Sequence, residues 1–100
     1  MNICRKLSKD VLRTVQKLFL TKKFPECGSE VVDRTNLKVL YSTGERGDVK
    51  LFSFSVGYYE DGILVAKTKV FHLEDASDLL RLDLTKPIES LFLKGCGKFI

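Results

Sequence analysis

The sequence predicts an α+β fold in which a three-stranded antiparallel meander packs against an N-terminal helix and one or two C-terminal helices. Apolar residues recur at helical spacing over residues 8–20, and apolar and polar residues alternate with period two between residues 31 and 72. Helical spacing then returns towards the C-terminus. With 100 residues, residues 1–100 are expected to form a single domain around one core.

The first helix is predicted over residues 8–20. Ser8 is suited to its N-cap because a serine hydroxyl accepts a hydrogen bond from a free backbone N–H. Lys9, Arg13 and Lys17 are four residues apart and therefore share one face of the helix. Another face is an apolar stripe made of Val11, Leu12, Val15, Leu18 and Phe19.

Three strands are predicted after the helix, whose pattern ends before Pro25. Their period of two places them at residues 31–42, 49–59 and 63–72. Asp61-Gly62 predicts a tight hairpin between the second and third strands, because glycine accepts a positive φ. A slightly longer loop, residues 43–48, is expected between the first two strands.

One face of this sheet requires cover from the helices. It carries Phe52, Phe54, Val56, Leu64, Ala66 and Val70. The opposite face is expected to mix polar and apolar side chains, namely Lys38, Ser53, Ser55, Lys67 and Lys69 with Leu40, Leu51, Tyr59, Val65 and Phe71. That face is either an exposed binding surface or is covered by the C-terminal tail or by a second copy of the chain.

The C-terminal part of the chain predicts two short helices. After His72, Ala76, Leu79 and Leu80 are expected to share one helical face. A last helix is predicted over residues 86–94. The residues that delimit it are Thr85 as its cap, Pro87 in its first turn and Gly95 as its stop.

Charge is distributed unevenly along the chain. The net charge is +4, and residues 1–23 hold seven basic residues against one acidic residue, so the remainder carries −2. Within that remainder the acidic residues cluster at Glu74, Asp75, Asp78 and Asp83. Such separation is typical of a protein that charged partners orient, and two solvated faces are the alternative.

The chemistry expected of an enzyme or a metal site is missing from the sequence. There is one histidine, His72, and no Cys-x-x-Cys or His-x-x-x-His spacing, so no catalytic, metal or cofactor residue is predicted. Cys4, Cys27 and Cys96 have no disulfide-framework spacing. Reduced thiols and the lack of an apolar membrane-spanning segment predict a cytoplasmic protein that binds no membrane. The sequence leaves open whether Cys27 and Cys96 meet.

Residues 8–82 resemble the double-stranded-RNA-binding domain. The segments "LYSTGERGDVKLFSFSV", "YEDGILVAKTKVF" and "EDASDLL" carry the resemblance. It implies that the first helix, with Lys9, Arg13 and Lys17, and the hairpin loop, with Arg46, enter successive minor grooves of RNA. The lysine cluster that opens the family's second helix is absent, because residues 74–78 read "EDASD" here.

These patterns favour a small non-enzymatic binding protein that regulates or inhibits a larger macromolecule by protein–protein docking, like the accessory and inhibitor proteins that viruses and phages encode. Its expected partner is a host or cognate protein, such as a component of a nucleic-acid-handling complex. Either a monomer or a homodimer fits the sequence. The residues expected to contact the partner are Arg46, Glu74, Asp75 and Asp78.

The alternative is an RNA- or DNA-binding module that uses the basic helix and the 43–48 loop. The residues expected to contact nucleic acid are Lys9, Arg13, Lys17, Lys67 and Lys69. Arg46-Gly47-Asp48 is interpreted as part of a hairpin loop rather than as an adhesion signal, because glycine and aspartate serve turn geometry themselves.

Overall fold

A computed structural model describes residues 3–21 and 27–92 and confirms the α+β class. The elements are α1 (Ile3–Thr21), β1 (Cys27–Val31), β2 (Leu37–Arg46), β3 (Val49–Glu60), β4 (Ile63–Lys67), β5 (Phe71–Leu73), a 3₁₀ helix (Ala76–Arg81) and α2 (Thr85–Phe92). The strands form one antiparallel sheet in the order β1-β2-β3-β4, and β5 also pairs with β3. The central meander was therefore predicted correctly, within a wider sheet.

Two features of the sheet differ from the prediction. The first is β1, which shares only Val31 with the predicted strand 31–42 and pairs with β2. The second is a break in the predicted strand 63–72, which the structure divides into β4 and β5. At the break, Thr68 donates its N–H to the Val56 carbonyl, and its hydroxyl accepts the Val56 N–H. Because a side chain replaces a backbone partner, the ladder stops although the alternation of residue types continues.

Helix α1 begins at Ile3, five residues earlier than predicted, and Ser8 is not its cap. Ser8 is buried in the middle of α1, where its Oγ accepts a hydrogen bond of 3.0 Å from the backbone N–H of Leu84. The carbonyl of Leu84 in turn accepts the Ile88 N–H of α2. A serine that looks like a cap for its own helix thus satisfies a backbone group at the start of another helix.

Both central hairpins close with two-residue turns. The Asp61-Gly62 turn has φ values of 52° and 79°, which confirms the predicted tight hairpin. The longer loop predicted at residues 43–48 is wrong, because β2 continues to Arg46 and pairs it with Val49. Only Gly47 and Asp48 remain in that turn, where Gly47 has a φ of 62°.

The left-handed backbone of Gly47 leads to a stability prediction. We expect Gly47→Ala to lower the free energy of unfolding by about 1 kcal/mol, since a Cβ strains a positive φ. Gly44→Ala is the matched control, because a Cβ added at either glycine would meet no atom within 4 Å and only Gly47 has a positive φ. Urea denaturation followed by circular dichroism measures both changes. Equal losses in the two variants would contradict the argument.

The core lies between the two α-helices and one face of the sheet. Phe52, Phe54 and Val56 are at most 1 % exposed, which confirms that this face is covered. The Phe52 ring centroid lies 5.8 Å from that of Phe19 on α1 and 5.8 Å from that of Tyr41 on β2. Phe92 of α2 meets the Tyr58 ring edge-on at 5.5 Å. Aromatic contacts therefore join both helices to the sheet.

Three residues of the third predicted strand lie on the face opposite to the one expected or outside the core. Leu64 and Val70, predicted to be buried, are 43 % and 50 % exposed. Phe71, predicted on the opposite face, stacks on core residue Phe54 at 5.3 Å. For Leu64 the cause is a bulge in β4, where Tyr58 pairs with Ala66 but Tyr59 pairs with Leu64. For Val70 and Phe71 the cause is the break between β4 and β5, which holds one residue more than the opposite stretch of β3 and so exchanges the inward and outward positions.

The C-terminal helices also depart from the predicted pattern. The first is a 3₁₀ helix, in which Leu79 is 8 % exposed and Leu80 is 88 % exposed, so the two leucines do not share a face. Helix α2 includes Thr85, which was expected to cap it, and Pro87 lies in its first turn as predicted. The predicted end at residue 94, the stop at Gly95 and the thiol of Cys96 lie outside the described residues.

Candidate functional site

The acidic segment that follows β5 is held by its own carboxylates. Asp75 Oδ1 accepts the Ser77 N–H at 2.9 Å. Asp78 Oδ2 accepts the N–H groups of Glu74 and Asp75 at 3.1 and 3.2 Å. These reciprocal bonds form a capping box at the start of the 3₁₀ helix. Asp75 and Asp78 therefore fix the backbone of this segment.

This capped helix displays an apolar side chain. Leu80 is 88 % exposed, whereas the adjacent Leu79 is packed in the core. The exposed side chains of Glu74 and Asp75 lie on the same short segment. Leu80 was expected on the buried face because α-helical spacing has 3.6 residues per turn, whereas this 3₁₀ helix has 3.0 residues per turn.

Arg46 lies at the same end of the sheet as the acidic segment. It is the last residue of β2, it is exposed, and the Gly47-Asp48 turn follows it. β5 runs antiparallel to β3 and ends with Leu73 opposite Phe52, so the chain then continues towards the end of the sheet that carries this turn. The acidic segment therefore starts on the side of the sheet where Arg46 lies.

The solvent face of α1 is basic. Its buried residues occupy one side of the helix, and Lys9, Arg13 and Lys17 lie on the exposed side. Lys6, which the predicted site omitted, belongs to the same exposed stripe by its helical spacing. Arg13 is paired only weakly, with 3.9 Å between its Nη1 and Asp10 Oδ1. The stripe from residue 6 to residue 17 is about 16 Å long at 1.5 Å per residue.

Lys67 and Lys69 form a second basic group. Both line a groove between the end of β4 and helix α2, together with Lys86. The predicted nucleic-acid set is therefore divided, with three residues on the α1 stripe and two at this groove. The sequence separates Lys86 from the two other lysines by β5 and the 3₁₀ helix, so residue spacing carried no sign of their proximity.

The histidine and the buried cysteine of the described chain have structural roles. Ser53 Oγ and His72 Nδ1 are 2.8 Å apart and occupy paired positions of β3 and β5, which makes them a cross-strand contact. Burial, and secondarily Glu89, raises the pKa of the Cys4 thiol, which disfavours its reactive thiolate. Cys27 is exposed. Among residues 3–21 and 27–92, no group of three or more histidine, cysteine or acidic side chains is placed to hold a metal ion.

None of the helices in the described part of the chain is both long and apolar enough to cross a membrane. Comparison with protein-family models, with curated proteins and with solved structures finds no match to this chain.

Proposed function

We propose that this protein is a non-enzymatic binding protein that docks onto a larger protein partner and regulates or inhibits it, as accessory factors of the viral and phage type do. The observation that carries the proposal is the exposed Leu80 on a 3₁₀ helix whose backbone is fixed by a capping box. Glu74, Asp75 and Asp78 form its acidic surroundings, and Arg46 lies towards the same end of the sheet.

This arrangement suits docking because an apolar anchor within a polar rim is the usual core of a protein contact. The hydrogen bonds of Asp75 and Asp78 hold the helix before a partner arrives, so less conformational entropy is lost on binding. The complementary surface on the partner is an apolar pocket rimmed by lysine or arginine. Burial of one leucine side chain contributes about 1.5–3 kcal/mol to such a contact.

The test begins with affinity capture from the native source, after which the captured partner is titrated by calorimetry. We expect Leu80→Ala to weaken binding about 10- to 100-fold, in line with the loss of a buried leucine. We expect Glu74→Lys to weaken it further by reversing one rim charge, without disturbing the capping box, because only the backbone N–H of Glu74 takes part in it.

Leu20→Ala is the matched control for this experiment, because Leu20 is a leucine on α1 that is 68 % exposed. Its removal tests whether any exposed leucine has the same effect. Binding that is insensitive to Leu80→Ala and Glu74→Lys would remove the 3₁₀ helix as the docking surface.

The α1 stripe supports a second candidate function, namely direct binding of RNA or DNA. Lys6, Lys9, Arg13 and Lys17 share one exposed face, and phosphate neutralisation is the main source of affinity for nucleic acids. If the protein binds nucleic acid directly, the material that it captures is expected to be lost on treatment with nuclease or at high salt. Replacing Lys9, Arg13 and Lys17 by glutamate would then abolish binding, whereas Leu80→Ala would have no effect.

A further inference from the structure

The groove between β4 and α2 has a defined construction. Its β4 side is fixed because Thr68 bonds to Val56 through both its N–H and its hydroxyl, which holds Lys67 and Lys69 on either side of Thr68. Its α2 side is the first two turns of the helix, which contribute Lys86 and Pro87. The groove has a volume of about 400 Å³, within the range of small-ligand sites.

The charge of this groove is of one sign. Lys67, Lys69 and Lys86 line it, and no acidic residue of the described chain does. Among the residues that the structure describes, the ion pair within 4 Å is the one between Arg13 and Asp10 on α1. None of the three groove lysines therefore has a described carboxylate oxygen within that distance. Three lysines along one groove, with no acidic residue among its lining, favour an anion in it.

The nearest acidic residue before α2 in the sequence is already engaged elsewhere. Asp83 Oδ1 accepts the hydroxyl and the N–H of Thr85, at 2.6 and 2.9 Å. These two bonds are the main reason that the pKa of Asp83 is lowered, with smaller contributions from Arg5 and Lys86. Asp83 does not line the groove, so its carboxylate does not take the place of an external anion there.

The floor of the groove is apolar, which narrows the class of ligand. Ala66, Pro87 and Leu91 line it beside the three lysines. Lys69 is held at one margin, where its Nζ lies 5.5 Å from the centroid of the Phe71 ring. A free inorganic anion would leave the apolar floor uncovered, whereas a ligand that joins phosphates to an organic ring would cover it.

We propose that this groove binds a small organic polyphosphate of the nucleoside di- or triphosphate class. Lys67, Lys69 and Lys86 contact the phosphate oxygens as point charges with rotatable donors. Pro87 and Leu91 contact the organic part. The residues that line this groove do not include Leu80 or the acidic segment, so failure of one proposal would not contradict the other.

Titration of the full chain with adenosine diphosphate tests the proposal, by calorimetry and by ¹⁵N chemical shifts. We expect saturable binding with shifts confined to residues 66–69 and 86–91, weaker binding of inorganic pyrophosphate, and none of adenosine. Replacing Lys67, Lys69 and Lys86 together by glutamine is expected to weaken binding of the diphosphate by more than about tenfold, since the loss of a single hydrogen bond to a charged group already costs about that factor.

The matched control replaces Lys6, Lys9 and Lys17 by glutamine. Both triple variants change lysines at the surface and reduce the net charge from +4 to +1. Unchanged affinity of the α1 variant for the diphosphate supports a local site in the groove. Equal weakening in both variants would show that the overall positive charge of the protein attracts the ligand, and would overturn the proposal. No saturable binding of the diphosphate also overturns it. Tighter binding of a tetranucleotide than of the diphosphate at the same residues would overturn the small-ligand class.

Discussion

Phe52→Ala is expected to lower the free energy of unfolding by about 3–5 kcal/mol, the usual cost of truncating a buried phenylalanine. Phe52 is completely buried, and its ring contacts Phe19 of α1 and Tyr41 of β2. Leu73 lies opposite it on β5, beside the start of the acidic segment. The cavity would therefore open where α1, the meander and β5 meet.

Urea denaturation of Phe52→Ala measures this loss, and Val49→Ala is the control on the same strand. Val49 is 45 % exposed, so its truncation is expected to cost less than about 1 kcal/mol. Small domains have only about 5–15 kcal/mol of stability, so Phe52→Leu provides a milder variant that keeps most of the side-chain volume. Similar losses for Phe52→Ala and Val49→Ala would contradict the position of the core.

The parts of the fold that sequence predicted are those in which residue type follows burial. Phe52, Phe54 and Val56 alternate with other residues at period two, and the structure buries all three. The Asp61-Gly62 turn was equally clear because its backbone conformation demands particular residues. β1 was missed because the exposed residues of this edge strand show no apolar alternation, as its Cys-Gly-Ser-Glu-Val sequence illustrates.

The errors arose where one residue changes the backbone without changing the pattern. The bulge in β4 leaves the sequence pattern intact but puts Leu64 on the sheet face opposite to that of Ala66. The 3₁₀ helix exposes Leu80 although it sits beside a core leucine. Neither effect is visible in residue type alone. The candidate surfaces were consequently predicted in part, since their charged residues were identified and their apolar anchor and Lys86 were not.

Ser8→Ala is expected to lower the free energy of unfolding by about 1–3 kcal/mol, although alanine is the better helix former. Ser8 is 4 % exposed and Leu84 is fully buried, so removing the hydroxyl leaves the Leu84 N–H without its acceptor in a dry environment. Ser90→Ala is the matched control. Its hydroxyl bonds to the Lys86 carbonyl within its own helix at an exposed position, and its loss is expected to change stability by less than about 0.5 kcal/mol.

Amide hydrogen exchange locates where the Ser8→Ala variant loosens. Ser8 and Leu84 are 76 positions apart, and their bond ties the start of α2 to the middle of α1. We expect faster exchange at Leu84 and through the first turn of α2, with β3 affected only through global stability. Lys86 lies in that turn, so the same variant should also weaken polyphosphate binding at the groove. Uniform acceleration across α2 and β3 would show that Ser8 stabilises the whole domain and does not specifically position this helix.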